Sequence, residues 1–170
     1  MPTVKDLKNV VILNHLTDAM LEKLLPIIEA LRFSKDDIVF RQDEPAERFY
    51  MVKSGKIILE QTITPDVTVC LGSIKPGYSF GWSAMLEEAT YRSDATCAEH
   101  SEIYTFRHDQ IKTILNGDPD MGYRLYQRLL VVLKKRYDKR TEQFRQTVLN
   151  HPDMGRLFGK QQELEDNRKY

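Results

Sequence analysis

The chain has 170 residues, 41% of them hydrophobic and 29% charged, which fits one globular domain with an appendage. Lys+Arg and Asp+Glu each number 25, so the formal net charge is zero. That balance excludes a whole-molecule field that would draw the chain to nucleic acid or to an anionic membrane, and any basic site must be local.

The opening stretch, residues 1–16, carries Lys5, Asp6 and Lys8 and has only the brief apolar run Val10 to Leu13. This is too short for a secretory h-region or a membrane span. The two cysteines, Cys70 and Cys97, have no metal-type spacing and read as reduced core residues, so the expected location is the cytoplasm. Residues 17–30 repeat Met20, Leu21, Leu24, Leu25 and Ile28 at helical spacing. They predict a helix with Thr17 or Asp18 as N-cap and a kink or end at Pro26.

From about residue 37 the hydrophobic period becomes two. Residues 36–42, 48–61, 67–74, 78–80, 95–98 and 101–106 are short alternating segments. Turn signals separate them at Ser54-Gly55, Thr64-Pro65-Asp66, Gly72-Ser73, Pro76-Gly77 and Glu99-His100. Many short strands at this spacing predict a mainly β fold, an antiparallel barrel or jelly roll with flanking helices.

Residues 107–117 predict a small helix. Asp118, Pro119 and Asp120 then supply an N-cap, a first-turn proline and a first-turn acid for a long one. Along it Met121, Leu125, Leu129 and Val132 form one apolar stripe. Tyr126, Leu130, Leu133, Tyr137, Phe144 and Val148 form a second, about 110° around the axis. A helix docked on its own barrel needs only the first stripe. The second asks either for the same helix of another copy, giving a homodimer through residues 121–148, or for cover by the tail. That tail offers only Met154, Leu157 and Phe158 before turning polar, which favours the dimer. The expected organisation is therefore a barrel with its N-terminal helix over 1–116, a dimer helix over 117–150 and a short tail over 151–170. The run Lys134 to Arg140 is broken by Asp138 and reads as a solvated helix face.

This order of elements resembles the cyclic nucleotide-binding domain of the catabolite-activator (Crp/Fnr-like) type over roughly residues 10–148. The landmarks are residues 13–57, with the Ser54-Gly55 turn, the run Ile74-Lys75-Pro76-Gly77-Tyr78-Ser79-Phe80-Gly81 ahead of a Gly-led cassette, and residues 118–137. The resemblance implies a double-stranded β-helix barrel whose cassette helix start, at Gly81, Ser83 and Ala84, cradles a phosphate together with an arginine. Arg92 with Ser93 is the candidate pair. Two registers are open: either Arg92-Ser93 are the family pair and Asp94 stands where alanine is usual, or Ala95-Thr96 anchor the strand, Arg92 is solvated and Asp94 can face inward.

The family glutamate that takes the ribose hydroxyl is replaced by Trp82, whose indole donates but cannot accept. The long-helix positions that touch the base in the family correspond to Arg136 and Tyr137. DNA-reading relatives carry a further winged-helix domain after this helix. About twenty residues follow Asn150 here, so direct DNA binding by this chain is not expected.

Two functional readings follow. One is a regulatory sensor that binds a cyclic nucleotide (cAMP or cGMP) or another small anion and signals through the long helix, the dimer or a protein partner not yet named. The other is an interaction or scaffold domain with its pocket plugged by Trp82. Neither requires a metal, a cofactor or a membrane. A metal-dependent barrel enzyme is not expected, because His15, His100, His108 and His151 are scattered singly and no nucleophile–base pair shows by spacing.

Overall fold

The computed structural model describes residues 2–151 and divides into two compact units, one ending at Gln127 and one beginning at Arg128. The first unit opens with α1 (Val4–Lys8), capped by Thr3 in a reciprocal box with Asp6, and α2 (Asp18–Leu24), capped by Thr17. Eight strands follow: β1 (Glu29–Phe33), β2 (Ile38–Phe40), β3 (Arg48–Ser54), β4 (Ile57–Thr64), β5 (Val67–Ile74), β6 (Ser79–Phe80), β7 (Asp94–Cys97) and β8 (Ser101–Arg107). Then come α3 (His108–Gly117) and α4 (Pro119–Asn150), whose early turns belong to the first unit.

The strands form two antiparallel sheets, ordered β1-β8-β3-β6 and β2-β7-β4-β5, which is the jelly-roll arrangement. Glu29 pairs with Thr105 and Tyr50 with Phe80 in one sheet; Ile57 pairs with both Ile74 and Cys97 in the other. The core between them is aromatic. Phe40 stacks on Tyr91 at 3.7 Å between ring centroids and Tyr50 on Phe80 at 5.1 Å, while Phe49, on the opposite face of β3 from Tyr50, stacks on Phe106 at 5.1 Å. The buried hydroxyl of Thr105 donates to the Phe49 carbonyl at 2.9 Å, so the one polar atom it brings inside is satisfied.

Four features differ from the sequence reading, the first being that Cys70, expected in the core, is exposed on β5 while Cys97 is buried. The helix over 17–30 stops at Leu24, and a short 3₁₀ turn at Leu25–Ile27 carries Pro26. Proline's missing N–H and fixed φ end the ladder there, and Glu29–Phe33 becomes β1 because β8 supplies its hydrogen bonds. Gly72-Ser73 is no turn. It lies inside β5 at a bulge, where Leu59 faces Gly72 and Glu60 faces Cys70, leaving Leu71 unmatched. The helix α1 was not expected at all, since five residues give too little periodicity to register.

Asp118 caps α4 by accepting the Met121 N–H at 3.0 Å, and Lys23 holds its other oxygen at 2.6 Å. Met121 and Leu125 are buried in the first unit. Of the second stripe, Tyr126, Leu130, Leu133, Tyr137 and Phe144 are exposed and Val148 is half-buried. The expected tail lies outside the described residues apart from His151.

Candidate functional site

The cassette begins where β6 ends. Gly81 adopts the left-handed conformation, φ 72° and ψ 34°, and turns the chain into a single 3₁₀ turn, Trp82–Met85. A side chain there would meet Tyr50 Cδ2 at 2.8 Å and the Arg48 carbonyl at 3.1 Å, so both the conformation and the space require glycine. The turn is fastened from behind. Ala84, fully buried, offers its carbonyl to His108 Nδ1 at 2.6 Å, which places that proton on Nδ1, and Lys112 of α3 pairs with Glu87.

After the cassette the chain returns through Tyr91, whose hydroxyl donates to the Arg48 carbonyl at 2.7 Å and accepts the Arg48 N–H at 3.1 Å. With its ring stacked on Phe40, Tyr91 is fixed at both ends and sets the position of the next two residues. Arg92 and Ser93 occupy a bend immediately ahead of β7. Along β7 it is Ala95 and Cys97 that turn into the core. Asp94 accepts the Gln42 N–H at 2.6 Å and does not line the cavity described next, so it brings no negative charge to it.

A cavity of about 190 Å³ lies between these segments, lined by Phe40, Leu59, Gly81, Trp82, Ser83, Tyr91, Arg92 and Ser93. The structure thus gathers Gly81, Trp82, Ser83, Arg92 and Ser93 from the sequence reading into one place and leaves Ala84 in the core. Arg92 is exposed and forms no hydrogen bond or ion pair among the described residues. Ser93 is buried, and its hydroxyl likewise has no partner there. Burial pushes the Tyr91 phenol up, keeping it neutral, so among the described residues the Arg92 guanidinium is the one formal charge on the cavity wall.

Trp82 forms part of that wall without filling the space beside it. Its indole N–H donates to the Ser79 carbonyl at 3.2 Å, and its ring meets Phe49 edge-on at 5.2 Å and 89°. Phe40, Leu59 and Tyr91 are cavity residues that sequence reasoning did not single out. Only the adjacency of Tyr91 to Arg92 could have pointed to one of them.

Arg136 and Tyr137 belong to the second unit. Arg136 is half-buried, and desolvation together with Arg140 lowers its pKa to about 10, which leaves it charged at neutral pH. Tyr137 is exposed. Among the described residues no three His, Cys, Asp or Glu side chains gather as a metal ion would need, and no helix is long and apolar enough to cross a membrane.

A family model described as cyclic nucleotide-binding domain matches residues 30–118. Over 85 residues the chain is 27% identical to a cAMP-dependent protein kinase regulatory subunit of Dictyostelium discoideum, a stretch covering 48% of this chain and 26% of that protein. The chain therefore spans about a quarter of the length of that curated relative.

Among solved structures, a cyclic nucleotide-binding domain from Methylobacillus flagellatus superimposes with a TM-score of 0.78 at 13% identity over 88% of each chain. The catabolite activator protein of Thermus thermophilus superimposes with a TM-score of 0.68 at 18% identity, over 80% of this chain and 62% of that one. At such identities the likeness is one of fold.

Proposed function

The chain belongs to the cyclic nucleotide-binding domain family, and from that premise we propose that it is a non-catalytic regulatory module that takes a cyclic nucleotide or another small anion into the barrel cavity. The observation that carries this reading is Arg92, a guanidinium without a partner among the described residues, on the wall of a cavity that no described carboxylate lines, beside the Gly81 turn. A cation without a partner in a concave site is a place for an anion. The cavity that stays open beside Trp82 speaks against the plugged-scaffold alternative.

Ligand occupancy is read out through α4. The cassette is tied to the start of α3 by Ala84 and His108, and α3 leads directly into the Asp118 cap of the long helix. The exposed stripe Tyr126, Leu130, Leu133, Tyr137 and Phe144 meets its equivalent on a second copy, making a homodimer. The module works in the cytoplasm and passes its signal to a protein partner rather than to DNA.

Thermal melts of the full chain with 3′,5′-cAMP, 3′,5′-cGMP or inorganic phosphate test the site. At least one of these anions should raise the midpoint, and Arg92→Ala should remove most of the rise. An equal rise in the variant would place the anion elsewhere.

A further inference from the structure

The cavity's own chemistry narrows the ligand further than family membership does, on the reading that the cavity beside Arg92 is the binding site. Its aromatic walls have no polar group to spare. The Trp82 N–H is engaged by Ser79, and the Tyr91 hydroxyl both donates to and accepts from the Arg48 backbone, so what these rings offer a ligand is apolar surface, continued by Phe40 and Leu59.

The polar groups left over include the Arg92 guanidinium, the hydroxyls of Ser83 and Ser93 and the Ser83 backbone N–H, none of them hydrogen-bonded to protein among the described residues. No described carboxylate lines the cavity to accept a proton from a ribose hydroxyl.

Size points the same way. An apolar cavity of roughly 150 Å³ accommodates benzene, whereas pockets for drug-sized molecules run to roughly 300–1,000 Å³. At about 190 Å³ this one matches a single ring and a small head group.

We propose that the cavity binds a small aryl carboxylate, with Arg92 and the Ser93 hydroxyl holding the carboxylate, Phe40, Leu59 and Tyr91 against the ring and Trp82 at its edge. A planar guanidinium fork matches a planar carboxylate by two parallel hydrogen bonds. Ser83 remains for one further polar substituent on the ligand.

The test is calorimetric titration of the full chain with benzoate, acetate, benzyl alcohol and 3′,5′-cAMP, repeated with Arg92→Ala and Arg92→Gln. Both variants should melt with the wild type in the absence of ligand, since Arg92 is exposed and unpaired. Benzoate should bind at least tenfold tighter than acetate, which lacks the ring, than benzyl alcohol, which lacks the charge, and than cAMP. It should also perturb the emission of Trp82, the chain's one tryptophan. Both variants should weaken benzoate at least tenfold and leave benzyl alcohol unchanged.

If cAMP binds tighter than benzoate and loses affinity in the Arg92 variants, the ligand class is wrong while the site stands. Benzoate no tighter than acetate also overturns the class, because the ring would then contribute nothing. Titrations unaffected by either substitution, or no binding by any of the four, overturn the site itself.

Discussion

The indole of Trp82 commits its one polar atom to the Ser79 carbonyl, so at the position where the resemblance leads one to expect a glutamate the side chain gives a ligand neither an acceptor nor a free donor. Exchanging it for glutamate makes the difference measurable. The shorter side chain opens the wall and supplies a carboxylate for a ribose hydroxyl, a charge-assisted bond contributing about 1.5–3 kcal/mol. Trp82→Glu should bind 3′,5′-cAMP roughly ten- to a hundredfold tighter than the wild type by calorimetry. It should bind benzoate more weakly, because two carboxylates would then share the cavity. The same change gives up the edge-on contact with Phe49, so the variant should melt at a lower temperature. A folded variant whose cAMP affinity matches the wild type would show that the missing acceptor is not what limits nucleotide binding.

Two hydrogen bonds meet at the start of α4, where the Lys23 ammonium and the Met121 N–H hold the Asp118 carboxyl below the usual carboxylate range. A lowered folded-state pKa stabilises the native protein at any pH above the unfolded value, near 3.9, and the contribution disappears as pH falls through the folded one. Asparagine still caps a helix but carries no charge. Asp118→Asn should therefore melt below the wild type at pH 7, and the gap should close as pH drops below about 4. A gap independent of pH would mean that the charge contributes nothing. This cap was legible in the sequence because Asp118, Pro119 and Asp120 are neighbours whose roles depend on one another alone. The strand β1 was not, since Glu29–Phe33 sits on the end of a helical pattern and is made a strand by hydrogen bonds from β8. Gly72 misled for a related reason: inside a strand a glycine can mark a bulge as well as a turn, and only the partner strand shows which.

Between one chain and its expected dimer the deciding surface is the exposed stripe of α4. Replacing Leu130 and Leu133 together with Asp would bury carboxylates without partners, so the double variant should sediment as a monomer where the wild type sediments as a dimer. A wild type that is monomeric at high micromolar concentration would refute the dimer. The jelly-roll arrangement itself was visible in the spacing of the alternating segments. The cavity was visible in part: Gly81, Trp82 and Arg92 stand out as a motif, whereas Phe40 and Leu59 reach the same space from strands that only the assembled sheets bring near. That assembly also sets an order of events during folding. Glu29 must find Thr105, and Phe40 must find Ala95, across most of the barrel's sequence, while the hairpin of β4 and β5 closes on itself. Each sheet is completed by a strand from the late part of the barrel, β8 in one and β7 in the other. Chain emerging from a ribosome can therefore form the β4–β5 hairpin early, but the aromatic interior stays open to solvent until residue 107 has been made, and the slow step is the closing of long loops rather than the winding of helices.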